Sequence, residues 1–168
     1  KSPIFYDISV GQLDHLLLST LPMEASLYTN LKAAVPTVQA VRIPAPFTAF
    51  ISIKNQAPGI VNNAILAGIN ADMYMKCVVV VDEDINIFDT GRVLWAIGTR
   101  CQPQRDIILL PNLRGSDLDP SCVPDGFTSK MGIDATAKPS IQEFPSRSSF
   151  SQDVIDRLNL DDLVRWKS

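Results

Sequence analysis

The residues best suited to chemistry lie in one short loop, Arg114-Gly115-Ser116-Asp117-Leu118. Arg114 offers a planar fork that matches a carboxylate. Gly115 lets the backbone turn freely. Leu118 is an apolar residue in polar surroundings. Two accounts fit: an Arg–Asp pair holding an ordinary turn, or the lip of a ligand pocket, since functional groups favour loops on rigid strands. A second cluster, Asp82-Glu83-Asp84 with Asn86, approaches a D-x-D-x-N calcium loop. It fails as one, because Ile87 stands where glycine is needed and Val93 where glutamate is needed. These carboxylates read as caps on neighbouring elements. Lys76, Arg100 and Arg105 flank apolar runs and fit either anion binding or pairing with local aspartates. His15 is the one histidine, and nothing near it in sequence completes a metal site or a nucleophile–base pair. No G-x-S-x-G, CxxC, P-loop or G-x-G-x-x-G pattern occurs. The residues by themselves assign no catalytic set and no metal site.

The elements that must carry the loop can be read from apolar spacing. The unbroken run Cys77-Val78-Val79-Val80-Val81 predicts a strand buried on both faces at the sheet centre, parallel to a neighbour. A helix follows from Asp89, its N-cap, to Cys101, with Val93, Leu94 and Ile97 as the apolar stripe. A strand from Asp106 stops at Pro111. Met75 to Leu118 thus reads as a βαβ unit whose last loop lies at a strand's C-terminal end, where α/β sheets place ligand groups. Upstream, Pro22 marks the first turn of a helix carrying Leu27, Leu31 and Val35, which Pro36 ends. Thr37–Ile43 and Phe47–Lys54 read as strands in a hairpin-like pair, the second with one apolar and one polar face. A helix runs from Pro58-Gly59 to about Ile69, and its Gly68 needs a compensating close contact. Asn112 to Ser149 shows little periodicity, and Ser151 to Trp166 recovers helical spacing. The fold class expected is mixed α/β (α+β): a central mixed sheet flanked by helices, with a long irregular loop and a C-terminal helix.

A chain of 168 residues is one ordinary domain, large enough to hold itself together without disulfide or metal. A net charge of −3 with scattered basic residues excludes a nucleic-acid footprint. No apolar run approaches the roughly 18 residues of a membrane span. Cys77, Cys101 and Cys122 are odd in number and widely spaced, and Cys77 within a strand run and Cys101 at a helix end read as small packing residues, which points to a reducing cytoplasm. The chain opens at Lys1, not Met, so a piece of something longer is expected.

Several motifs in series add a resemblance. Lys76–Asn86, Val93–Arg100, Pro103-x-Arg105-Asp106 and Ser129-Lys130-Met131-Gly132-Ile133-Asp134-Ala135-Thr136 resemble, in order and spacing, the C-terminal domain of UbiD-like decarboxylases. The similarity runs from about Pro44 to Pro139. It implies reversible, non-oxidative decarboxylation of aromatic, heteroaromatic or α,β-unsaturated acids. The implied cofactor is prenylated FMN, with a divalent metal (Mn or Mg) and K, all held by a larger N-terminal domain. That domain would also bring the catalytic glutamates and arginine, so this piece alone should be inactive and bind no cofactor. The resemblance divides the chain into a linker over 1–20, the α/β domain over 21–149, and a helix for homo-oligomer contacts over 150–168. It makes Arg114, Gly115, Ser116, Leu118 and Tyr74 a substrate-pocket lip. Ser116 replaces an aromatic residue, and Tyr74 a smaller polar one, found in some relatives, which points to altered substrate shape. The rival reading is a non-catalytic assembly or binding module that reuses the fold.

Overall fold

The computed structural model describes the backbone of residues 13–54, 57, 59–116, 119, 121–122, 126–138, 151 and 153–154, with side chains from Leu21 onward. It separates into two units, Lys1–Ala137 and Lys138–Ser168. In the second, Asp153 and Val154 are helical and exposed, and the Val154 N–H donates to the Ser151 carbonyl at 2.9 Å. The rest of the C-terminal helix expected there lies outside the described residues.

The first unit is a five-stranded mixed sheet between helices, in the order β1-β2-β3-β5-β4. Its elements are α1 (Leu13–Ala34), β1 (Val38–Ala45), β2 (Thr48–Ile53), α2 (Ile60–Ala71), β3 (Cys77–Asp82), α3 (Thr90–Arg100), the single turn α4 (Pro103–Asp106), β4 (Ile107–Arg114) and β5 (Phe127–Asp134). β3 lies parallel to both β2 and β5. Its valines divide by parity. Val78 and Val80 join the core under α1 and α2, while Val79 and Val81 join the core under α3. An all-apolar run is what a strand covered on both faces requires. Leu27, Leu31 and Val35 are buried as their spacing predicts. Gly68 finds its compensation, since a Cβ there would lie 3.0 Å from Ile51 Cδ1. Asp89 caps α3 by accepting from the Arg92 N–H at 3.2 Å.

Several expectations are corrected. Pro22 sits inside α1, not in its first turn, and the helix passes through residue 20. β2 has no polar face; Ser52 is buried, because helices cover both sides of this interior strand. Leu94 points to solvent at 60% exposure, and the buried stripe of α3 is Val93, Ala96 and Arg100. β4 does not stop at Pro111 but continues to Arg114. An edge strand tolerates proline, and a bulge between Leu110 and Leu113, with Asn112 at φ 59°, absorbs the irregularity.

The irregular stretch after Asn112 contains an interior strand, β5, which the apolar pattern conceals. Its buried positions include Thr128, Lys130 and Gly132, so alternation is present without hydrophobicity. A Cβ on Gly132 would fall 2.0 Å from Ile65 Cγ2; that face must be bare for α2 to seat. Lys130 is 4% exposed, and its ammonium donates to the carbonyls of Ile69 (3.3 Å), Asp72 (3.4 Å) and Met73 (3.2 Å) at the C-terminal end of α2. Cations suit that end of a helix. β5 also overturns the βαβ reading, because β4 pairs antiparallel with β5 and never touches β3 as a ladder partner. The loop after β4 therefore emerges where β3 and β5 begin, at the opposite edge from the one expected.

Candidate functional site

The loop after β4 is organised by a residue that its own composition does not advertise. Asp119 is 4% exposed. Its Oδ2 accepts from Lys76 Nζ at 2.7 Å and from Thr128 Oγ1 at 3.2 Å. Its Oδ1 accepts from the Ser121 N–H at 3.0 Å and from Ser121 Oγ at 2.8 Å. Lys76 Nζ also donates to Ser121 Oγ. Lys76 immediately precedes β3, and its carbonyl accepts from the Met131 N–H of β5 at 2.8 Å. Burial works to raise the Asp119 pKa, but hydrogen bonds from Lys76 and Ser121 outweigh it and bring it down to about 2. The carboxylate is therefore ionised and committed, not poised to exchange a proton.

Beside this knot opens a cleft of about 270 Å³ lined by Lys76, Asn112, Ser121, Phe127, Thr128 and Ser129. Its walls offer hydroxyls, an amide, one aromatic face and a lysine whose charge Asp119 balances. Such a donor set can orient and shape a ligand. The described residues lining the cleft include no carboxylate.

Of the residues singled out from sequence, Arg114, Gly115 and Ser116 are brought together here. Arg114 ends β4 opposite Phe127 and is exposed. No ion pair joins it to another described residue; Asp117, the aspartate of the Arg–Asp turn account, lies outside the described residues. Its guanidinium lies over Gly126, at φ 80°, where a Cβ would meet Arg114 Nη1 at 2.5 Å. Gly115 is needed for close packing rather than for turning. Its φ is not positive, and a Cβ would lie 2.8 Å from Thr128 Cγ2 and 3.1 Å from Cys122 Sγ. Ser116 is buried at 4% exposure, and its carbonyl accepts from the Asp119 N–H at 3.0 Å. Tyr74 is half-buried against the core under α1 and α2, with its N–H donating to Asp72 Oδ1 at 2.9 Å. Leu118 lies outside the described residues.

The acidic knot is structural. Arg100 Nη1 donates to Asp82 Oδ2 at 3.1 Å and to Asp84 Oδ1 at 2.9 Å, and its guanidinium lies 5.5 Å from the centre of the Trp95 ring. The Ala137 N–H also donates to Asp82 Oδ2. Hydrogen bonding to Arg100 pulls the Asp84 carboxyl below its ordinary range, while burial pushes Asp82 up. Arg105 pairs with Asp106 at 2.8 Å. Each of the three cations that flank apolar runs, Lys76, Arg100 and Arg105, is thus paired with an aspartate. The partner of Lys76 escapes sequence reasoning, because it stands 43 positions away. The one signal is a lysine abutting a valine run, a place where an unpaired charge would be costly.

The chain is similar to known proteins over most of its length. Residues 16–135 match the family model described as the 3-octaprenyl-4-hydroxybenzoate carboxy-lyase C-terminal domain. The anhydromevalonate phosphate decarboxylase of Methanothermobacter thermautotrophicus is 40% identical over 156 residues, covering 90% of this chain and 37% of that protein. The phenolic acid decarboxylase of Escherichia coli O157:H7 is 34% identical over 167 residues, covering 92% of this chain and 33% of its own length. Among solved structures, the UbiD-class enzyme HmfF from Pelotomaculum thermopropionicum, in complex with FMN, superposes with a TM-score of 0.78 at 39% identity. That match covers 89% of this chain and 34% of the HmfF chain. The chain spans about a third of the length of these relatives.

Proposed function

The chain belongs to the UbiD C-terminal domain family, and from that premise we propose that it is the C-terminal part of a reversible, non-oxidative decarboxylase. Its substrates are aromatic, heteroaromatic or α,β-unsaturated carboxylic acids. The supporting observation is the pattern of coverage: nine-tenths of this chain aligns with about a third of a decarboxylase. The relatives act, by name, on acids as different as anhydromevalonate phosphate and phenolic acids, which keeps the substrate class broad. The HmfF structures hold FMN or prenylated FMN, and we assign a prenylated flavin, with a divalent metal (Mn or Mg) and K, to the remainder of this enzyme. When bound, that flavin is the electron sink for loss of CO₂.

The chain's own contribution is shape. Arg114, Gly115, Ser116, Leu118 and Tyr74 form the lip of the substrate pocket. The sheet provides a rigid body against the flavin domain. The active form is a cytoplasmic homo-oligomer in which residues 150–168 contact a neighbouring protomer. The test is CO₂ release by full-length protein carrying this chain, loaded with prenylated flavin, on a panel of aryl and α,β-unsaturated acids. Turnover is expected on part of the panel, with Ser116→Phe shifting preference toward slimmer acids. No turnover on any acid by flavin-loaded protein overturns the reading.

A further inference from the structure

Asp119 is the point at which three parts of the first unit meet. Its side chain binds Lys76, at the threshold of β3, and Thr128, on β5. Its main chain binds the loop: the Asp119 N–H donates to the Ser116 carbonyl at 3.0 Å, and the Cys122 N–H donates to the Asp119 carbonyl at 3.1 Å. The methyl of Thr128, whose hydroxyl donates to Asp119, is the group against which Gly115 packs too closely for any side chain. The Gly115 N–H donates to the Gly126 carbonyl at 2.9 Å, and Gly126 in turn seats the Arg114 guanidinium. A path of direct contacts therefore leads from Lys76 through Asp119 and Thr128 to Gly115, Gly126 and Arg114.

We propose that Asp119 is the positioning residue of this loop. By joining Lys76 to Thr128 it presets the backbone carrying Arg114 and Ser116 before any acid binds. A carboxylate is the group that can do this. It accepts on both oxygens at once: Oδ2 takes the Lys76 ammonium and the Thr128 hydroxyl, and Oδ1 takes the Ser121 hydroxyl and amide. An asparagine of the same shape offers one acceptor and one donor, and its NH₂ would face either an ammonium or another donor. Loop geometry then belongs to this chain and is not imposed by ligand or flavin domain. The consequence for selectivity rests on the decarboxylase reading; the consequence for the loop does not.

The experiment has two arms, each with Asp119→Asn, Thr128→Val and Lys76→Arg in full-length protein. In the first, amide hydrogen exchange is followed by mass spectrometry. The Gly115, Asp119 and Cys122 amides should exchange about tenfold faster in Asp119→Asn, the size of one lost charge-assisted hydrogen bond. The central strand amides should stay unchanged. Thr128→Val, which keeps the methyl against Gly115, should show the same local effect, and Lys76→Arg should retain protection. Unchanged exchange at the loop, or an equal rise throughout the sheet, overturns the proposal, since the second result marks a merely structural residue. In the second arm, Asp119→Asn should raise KM about tenfold with kcat little altered, a loss of binding common to ground and transition states. It should also narrow the preference between slim and bulky acids. Unaltered KM and preference in an active enzyme overturn the proposal. An unaltered enzyme with no turnover overturns the decarboxylase reading instead, and the exchange arm alone then decides on Asp119.

Discussion

Asp119 is acidic because Lys76 and Ser121 hold its ionised form in a place that water barely reaches. The sign of its contribution to stability follows. Its pKa falls from an ordinary 3.8 to about 2 on folding, so the ionised group favours the folded chain at all pH values above the ordinary range. That contribution is lost as pH drops from about 4 to about 2. Urea midpoints measured across this window should fall, and Asp119→Asn should flatten the fall because it removes the titrating group. Asp82 acts in the other sense, since burial raises its pKa and its charge is tolerated at neutral pH through Arg100 and the Ala137 N–H. At this scale the sequence is informative where partners are near. The Asp89 cap is legible because the N–H it serves is three residues on; the acidic knot, expected to cap neighbouring elements, instead binds Arg100 of the next helix. The Lys76–Asp119 pair is silent because strand, helix and strand intervene, and only the folded sheet edge joins them.

Among the elements, glycine gives the sharpest contrast. Gly98 lies in α3 with open space around the point where a Cβ would stand, so Gly98→Ala should stabilise the chain by about 1 kcal/mol through helix propensity alone. Gly132, on β5, would push a methyl into Ile65 at 2.0 Å, and Gly132→Ala should cost roughly 1–3 kcal/mol by overpacking. Chemical denaturation of the two variants beside the parent checks both signs, and equal shifts would contradict the packing of α2 on β5. β3 is legible throughout, and β2, α1 and α3 in part, because apolar side chains such as Ile51, Leu27, Leu31 and Val93 mark buried positions. β5 is not, because the positions it buries hold threonine, lysine and glycine, each for a separate reason: Thr128 serves Asp119, Lys130 caps α2, and Gly132 makes room for Ile65. Pattern reading assigns strands by hydrophobicity, so a strand whose inward residues do other work is taken for loop. The reversed direction of β4 follows from that omission.

For the molecule as a whole, the serial motifs locate the family and the fold class, while the position of the loop relative to the sheet requires β5. The sheet separates two charged centres. Arg100 with Asp82 and Asp84 closes the end of β3, and Lys76 with Asp119 stands before its beginning. β3 has 6 residues, and at about 3.3 Å per residue it holds the two centres roughly 20 Å apart. Arg100→Ala strips a buried cation from Asp82 and from the largely exposed Asp84, and should cost about 1–3 kcal/mol. Combined with Asp119→Asn, the losses should sum to within about 0.5 kcal/mol, as for sites sharing no partner. A coupling above that, measured as a double-mutant cycle by urea unfolding, would mean that the sheet transmits strain between its ends.

That separation has a bearing on how such a chain can change. Substitutions that resculpt the rim near Arg114 draw on one store of stability, and those that weaken the clasp at Arg100 draw on another. Lineages can therefore explore new rims while the far pole keeps the scaffold folded, and a designer grafting a foreign rim onto this sheet should carry Lys76, Asp119 and Thr128 with it as one inseparable unit.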